Sequence, residues 1–303
     1  MIKNSYMRGV FCALTAAVCW GLISPIAKII GGAGVDLMSV MVFRSLFTLA
    51  SVGIFLYFSR GLSVFRASRG ELRFYFVSGA LSVAAAGGGF LNSLETLTVA
   101  EALIIHYTFP LAAIIGSLFI TREKPTLLQT IAGLLILLGV YIGMGGASAS
   151  FSKMPIVGIL WGMLAVFGMA GQSLITRRYS LSHELDQLSL LFWSNLFGGL
   201  LLFAFKSWHY GWGDLYSFTP GLFLLMTLQA LSGSVIAYGA FFTSLKYIPA
   251  AVTSLLCTLE IVVAVVLTAI FVGQPPSLHE TVGCAIILAA IVCASIRTDK
   301  KPA

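Results

Sequence analysis

Glu260 interrupts the apolar run SLLCTLEIVVAVVLTAIF near its middle, with Cys257 and Thr253 three and seven residues earlier on one helical face. An acid at bilayer depth costs about 2.5–3.5 kcal/mol or more and persists where it is paired or used. Two readings follow: a carboxyl that takes up and releases protons, or a hydrogen-bonded acid that braces its helix. His106 and Tyr107 lie within a second apolar run just before Pro110, which lacks an N–H and whose ring disturbs the preceding turn, so Pro110 is a candidate hinge. Histidine can relay protons or bind a carboxylate; the plainer alternative is a buried neutral ring donating to a carbonyl. Arg44 is the only arginine well inside an apolar run, and Ser45, Thr48 and Ser51 share its segment. It could bind an anionic group or snorkel toward headgroups, and its place in the first third of the run favours snorkelling slightly. Trp20, Ser24, Asn92, Gln172, Ser173 and Tyr238 are further polar or aromatic residues inside such runs that could line one cavity.

Other patterns carry less. His209 and Asp214 have an HxxxxD spacing found in acyl-transfer chemistry, but they fall in a short loop whose Trp208, Tyr210 and Trp212 read as an interfacial aromatic belt. Gly87-Gly88-Gly89 has no following Lys-Ser/Thr and is not a phosphate cradle. Cys12, Cys19, Cys257, Cys284 and Cys293 all lie in apolar runs without metal-ligand spacing. Neither a metal nor a cofactor is expected.

The elements that must position these residues are membrane helices. The 303 residues are 58% hydrophobic and only 10% charged, against about 25% charge in soluble domains. The net charge of +7 is spread over short loops, which argues against a nucleic-acid partner. A helix crossing a ~30 Å hydrocarbon core needs about 20 apolar residues. Runs of that length fall near 7–30, 35–58, 72–93, 97–120, 126–145, 155–177, 185–206, 218–242, 247–272 and 278–296, giving ten spans in an all-α protein. The segment from Ser59 to Gly70, with Leu62, Val64 and Phe65 among arginines, is expected to lie on the headgroup surface.

The sequence also repeats itself. The stretch Ser93 to Leu137 aligns without a gap on Ser244 to Leu288, matching Ser93 with Ser244, Ala113 with Ala264, Pro125 with Pro276 and Leu137 with Leu288. Gly9, Ser24, Ile26, Phe43 and Ser45 likewise fall on Gly158, Ser173, Ile175, Phe192 and Ser194, so the first run is a repeated span rather than a cleaved leader. The halves are then 1–150 and 151–303. With both termini in the cytoplasm, Arg60, Arg66, Arg69, Arg73, Arg122, Lys124, Arg177, Arg178 and Lys246 all lie inside, as do the terminal Lys3, Arg8, Arg297, Lys300 and Lys301. Only Lys28, Lys153 and Lys206 lie outside. Five spans per half is an odd number, so the halves are expected to be inverted, an arrangement characteristic of alternating-access carriers with a site near the midplane.

Ten short-looped spans, two five-span halves, basic inner loops and the segment SLLCTLEIVVAVVLTAIFVGQ together resemble the EamA-type ten-span members of the drug/metabolite transporter superfamily. In that family the late segment usually reads Leu-Glu-Pro, then an apolar run ending in Gly-Glu. Here Leu259-Glu260-Ile261 and Gly273-Gln274 stand at those places, while the first copy has Phe109-Pro110 and Arg122-Glu123. The resemblance implies movement of small metabolites through a pore between the halves, lined chiefly by the first, third, fourth, sixth, eighth and ninth spans. The expected function is secondary transport, with export of amino acids or related compounds across the inner or plasma membrane. Uptake or exchange of a nucleotide-sugar-like or cofactor-like anion is the alternative, and a membrane enzyme or scaffold the rival from another class. Expected partners are the small-molecule substrate and the bilayer. The GxxxG spacings of Gly139 with Gly143 and Gly158 with Gly162 leave a homodimer open.

Overall fold

The computed structural model describes residues 2–145, 155–273 and 275–295, and every regular element among them is helical. Helices occupy the predicted apolar runs, several of them interrupted. The chain runs through α1 (Ile2–Gly21), α2 (Ile23–Gly32), α3 (Leu37–Arg60), α4 (Arg69–Gly79), α5 (Gly89–Ser93), α6 (Val99–His106), α7 (Phe109–Phe119) and α8 (Leu127–Gly143). It continues through α9 (Ile156–Ser180), α10 (Gln187–His209), α11 (Pro220–Ala230), α12 (Ala237–Tyr247), α13 (Ala250–Cys257), α14 (Leu259–Val272) and α15 (Leu278–Ser295). Among the described residues eight rods, several built from consecutive helices, are long and apolar enough to cross a bilayer. Leu127–Gly143 and Leu278–Ala294 are shorter apolar helices.

Local chemistry explains where helices begin. Ser68, Thr98 and Thr126 each accept from the backbone three residues on while Glu71, Glu101 and Gln129 reach back, closing a capping box. Asp36 and Asp186 cap α3 and α10 by accepting from Met38 N and Leu188 N.

Three features recur in both halves at the displacement that aligns Ser93 with Ser244, whereas the break between α1 and α2 has no counterpart in the continuous α9. The third rod of each half contains π-helix, Ala80–Gly88 between α4 and α5 and Leu231–Ile236 between α11 and α12. The fourth rod breaks between α6 and α7 at Tyr107-Thr108, and between α13 and α14 at Thr258. Pro110 accounts for the first break: it lies within the first two residues of α7, where its missing N–H costs nothing. The second break has no proline; the Thr258 hydroxyl binds the Leu255 carbonyl at 2.7 Å, a local bond that competes with the helical ladder. Finally, Arg122 and Gly273 occupy matching left-handed positions at φ 58° and 68°. Glycine adopts that conformation freely, whereas a residue with a Cβ is strained by about 1–2 kcal/mol.

Equivalent helices of the two halves lie against each other in opposite directions. On α8 and α15, Gly139 meets Gly283 and Ile287, whereas Gly143, further along α8, meets Glu280, earlier along α15. A Cβ at Gly139 would come 2.9 Å from the Gly283 carbonyl oxygen, so this approach requires glycine. Gly158 and Gly162 face Leu97 and Ile105, so both GxxxG spacings serve contacts within the chain. The α3–α10 pair is antiparallel too: Arg60 at the end of α3 pairs with Asp186 at the start of α10, and Lys206 near the end of α10 pairs with Asp36 at the start of α3.

The central core joins Trp20, Tyr107, Phe109, Met169, Phe241 and Leu255 from both halves. Phe58, Phe119, Phe167 and Phe271 instead stay exposed on the outside of the bundle, as a bilayer-facing belt requires. The 62–65 segment is a short 3-10 turn whose Leu62 is exposed, but Phe65 tucks in against Phe192 with ring centroids 5.0 Å apart. That turn is therefore partly an anchor into the bundle, not wholly a surface strip.

Candidate functional site

The π-helical stretch Leu231–Ile236 widens the helix and carries carbonyls out of the regular ladder. The Gly233 carbonyl accepts two bonds from distant elements, from Trp20 Nε1 of α1 at 3.0 Å and from Arg44 Nη2 of α3 at 3.2 Å. Arg44 Nε donates to Ser234 Oγ at 3.1 Å. A Cβ at Gly233 would lie 2.5 Å from the Ile23 side chain and 3.3 Å from Arg44 Nη2, so Ile23 would have to shift to admit one. Arg44 is only 9% exposed. The sequence favoured snorkelling; instead the side chain turns inward, because Ser234 and Gly233 offer acceptors that the hydrocarbon face lacks.

Arg44 borders a cavity of ≈ 30 Å³ lined also by Ser45, Ser82, Asn195, Ser234 and Tyr238. Each π-helical stretch contributes to it, Ser82 from the first and Ser234 from the second. The space is enough for about two waters and is polar enough to hold them. Among the described residues Arg44 Nη1 donates to the Met41 sulfur alone, at 3.5 Å. Among the described residues the ion pairs are Arg60–Asp186, Arg177–Glu123 and Lys206 with Asp36 and Asp214, so the guanidinium has no carboxylate within 4 Å.

Tyr238 packs edge-on against Trp20 at 5.2 Å and stands within electrostatic reach of both Arg44 and Glu260. Glu260, one residue past the start of α14, accepts a 3.0 Å bond from the Tyr107 hydroxyl across the break between α6 and α7. The two broken helices therefore meet through one tyrosine–carboxyl bond. Arg44, Trp20, Tyr238, Tyr107 and Glu260 are thus brought into one linked region of the bundle.

The remaining candidates lie elsewhere. His106 is walled by Phe90 and Phe109, at ring distances of 4.9 and 5.6 Å, and its buried Nδ1 has no hydrogen-bond partner among the described residues. Asn92 binds the Gly88 carbonyl and accepts from Tyr210 away from the cavity. Gln172 is fully buried with both amide atoms unpartnered among the described residues, while Ser173 turns back to the Met169 carbonyl. Ser24 falls in α2, but its side chain is outside the described residues, as are those of Lys3 and Lys28. Lys153, Gln274, Arg297, Lys300 and Lys301 are outside them altogether. Sequence reading missed Ser82, Asn195, Gly233 and Ser234; the Ser232-Gly233-Ser234 triplet and the Ser194-Asn195 pair inside apolar runs are the signals that mark them.

Polar links also join the halves at both ends of the bundle. At the end where α2 gives way to α3, Lys206 is 1% exposed, with Nζ 2.6 Å from Asp36 Oδ2 and 3.3 Å from Asp214 Oδ1. Its ammonium also lies over Tyr210 and Trp212, at 5.4 and 5.6 Å. Burial pushes the Asp214 carboxyl up, but the Lys206 charge and the Asp36 N–H help carry it below the usual aspartate value. Tyr210 donates to Glu95, and burial together with that bond pushes its hydroxyl up. Asp214 is thus committed to Lys206 and Asp36, whereas His209 stacks on Phe205, so the HxxxxD residues do not form an acid–base pair. At the opposite end Arg177 holds Glu123 through Nε and Nη2 at 3.0 and 2.7 Å and donates to the Leu245 and Lys246 carbonyls. A larger space of ≈ 200 Å³ opens there, bordered by Ser117, Glu123, Lys124, Gln129 and Ala251.

Comparison with known proteins adds to this geometry. The model of the EamA-like transporter family matches twice, over residues 7–144 and 156–296. The chain is 26% identical to the uncharacterized transporter YxxF of Bacillus subtilis (strain 168), over 69% of this chain and 66% of that protein. It is 22% identical to the uncharacterized inner membrane transporter YicL of Salmonella typhimurium, over 98% of each. A protein of known crystal structure shares the fold, with a TM-score of 0.78 at 18% identity, over 94% of this chain and 96% of that one.

Proposed function

The chain belongs to the EamA-like transporter family and is a multi-pass membrane transporter of the cell membrane; on that premise we propose that it is a secondary carrier of small organic metabolites working by alternating access. The proposed architecture is ten spans in two inverted halves, 1–150 and 151–303, with both termini in the cytoplasm. Support comes from the opposed directions of α3 with α10 and α8 with α15, and from π-helices, breaks and left-handed residues repeated at matching positions.

The observation that carries the reading is a polar centre built from both halves, tied at each end by links between them. Trp20 and Arg44 come from the first half, Gly233, Ser234 and Tyr238 from the second. Lys206–Asp36 closes one end and Arg177–Glu123 the other, so releasing either alone would admit solute from one side. The cargo class is amino acids or related compounds, and the direction is export. Coupling to protons would run through Glu260, bridged to α6 by Tyr107. A nucleotide-sugar-like anion fits less well, since the cavity presents a single guanidinium and multiply phosphorylated groups favour several cations.

The test is counterflow in proteoliposomes: purified protein, a preloaded mixture of amino acids and other metabolites, and mass spectrometry of what exchanges. Selective exchange of an amino acid is expected. No exchange across a broad panel by folded, inserted protein would refute the amino-acid reading.

A further inference from the structure

We propose that Arg44 is the anchor for an anionic group of the cargo, a carboxylate or a comparable single-charge oxyanion, and that the cargo supplies the counter-charge the protein withholds. This deepens the transport reading and rests on it for the word cargo, but the site stands on its own geometry. Arginine does not surrender its proton in proteins, so a charge persists wherever its guanidinium is put. At Arg44 that charge is nine-tenths buried and bordered by a cavity. It is held by two neutral acceptors, Ser234 Oγ and the Gly233 carbonyl.

The other buried cations of this protein are treated differently. Lys206 has two aspartates and Arg177 has Glu123. Where the fold wants a cation neutralised, it places an acid beside it. Glu260 is held on the Tyr107 hydroxyl and lies beyond ion-pair distance of Arg44. Arg44 Nη1, whose hydrogen-bond partner among the described residues is the weak Met41 sulfur, is left with donor capacity. Ser45, Ser82, Asn195 and Tyr238 surround the same space with further polar groups. A planar guanidinium with free donors, in a water-sized polar void, fits a carboxylate that displaces the water. Since the void is ≈ 30 Å³, it accepts the charged group itself, and the rest of the solute requires the surrounding helices to part.

The experiment uses the full-length purified protein in detergent and in proteoliposomes, with benzoate against benzamide and a panel of amino acids against their carboxamides. Binding is read by thermal shift and by quenching of tryptophan fluorescence. Each acid that binds is expected to exceed its amide by about 10- to 100-fold in affinity, the range for a hydrogen bond to a charged group. Arg44→Gln should abolish that preference and Arg44→Lys keep part of it. If Arg44→Gln does not fold, the acid-to-amide ratio in the wild-type chain still decides. Ser234→Ala, which leaves the charge but loosens the guanidinium, should lower the ratio without removing it. Equal binding of acids and amides, or undiminished preference in folded Arg44→Gln, overturns the proposal. Carboxylate binding that depends on Arg44, without exchange of any solute, would uphold the site and refute the transport reading.

Discussion

Removing the ammonium of Lys206 isolates two acids at once, which makes Lys206→Met the sharpest probe of how the halves are held together. Lys206 is 1% exposed, whereas its partners Asp36 and Asp214 retain 29% and 12% of their side-chain exposure. Breaking a buried pair by deleting one partner costs about 3–5 kcal/mol, most of it the penalty of the stranded charge. Partial solvation of Asp36 brings the expectation to about 2–3 kcal/mol, with the loss of two ring contacts worth about 0.5–1 kcal/mol included in it. Lys206→Met with Asp36→Asn should recover about half, because the second change removes one stranded charge. The cycle is read by thermal unfolding in detergent at constant lipid and pH. The link should also survive acidification: Asp214 lies below its ordinary value of 3.8, so its contribution is complete above that pH and fades only as pH falls further. A coupling between Lys206 and Asp36 under about 0.5 kcal/mol, or a loss of the link already at pH 6, would refute this account.

Three further outcomes are expected. Arg122→Gly should raise the melting temperature, by up to about 1 kcal/mol of stability, because it relieves a left-handed residue whose counterpart Gly273 has no strain; an unchanged or lower value counts against the strain. Gly139→Val should destabilise by about 2–4 kcal/mol, since its Cβ would press on the Gly283 backbone where neither helix can yield, and limited proteolysis would read the loosening. Glu260→Gln should flatten the pH dependence of flux because it removes the titrating carboxyl, whereas Tyr107→Phe should displace that dependence because it removes only the hydroxyl bound to it; profiles matching the wild-type chain in both variants would exclude proton coupling there.

Much of the fold can be read from the residues because a membrane imposes length: a continuous apolar run of about 20 residues has one common use. The internal breaks are less legible. Pro110 announces the first, but Thr258 ends α13 by a hydroxyl-to-carbonyl bond that an isolated threonine does not advertise. The π-helices leave no mark in periodicity, since one wide turn shifts the register without altering composition. The bond between Tyr107 and Glu260 is announced by no spacing, because it depends on how two interrupted helices approach, and His106 turns instead to Phe90 and Phe109. Arg44 leaves two readings open in the sequence, because a long side chain near a span end can reach either headgroups or interior. What decides is Ser234, far away in sequence. Lys206 was assigned to an outer loop by charge, yet the Asp36 and Asp214 partners that allow it to be buried are set by the approach of α3 to α10.

The crossed arrangement of α3 and α10 bears on how the chain is made. Asp36 and Arg60 leave the ribosome long before Lys206 and Asp186, so during synthesis the first half waits in the bilayer with its end charges uncompensated and Arg44 without Ser234 and Gly233. Neither half is then a finished product. Truncation before α10 strands every one of these groups, giving membrane quality control a recognisable defect, whereas two separately made half-chains carry complementary ends and have the means to find each other.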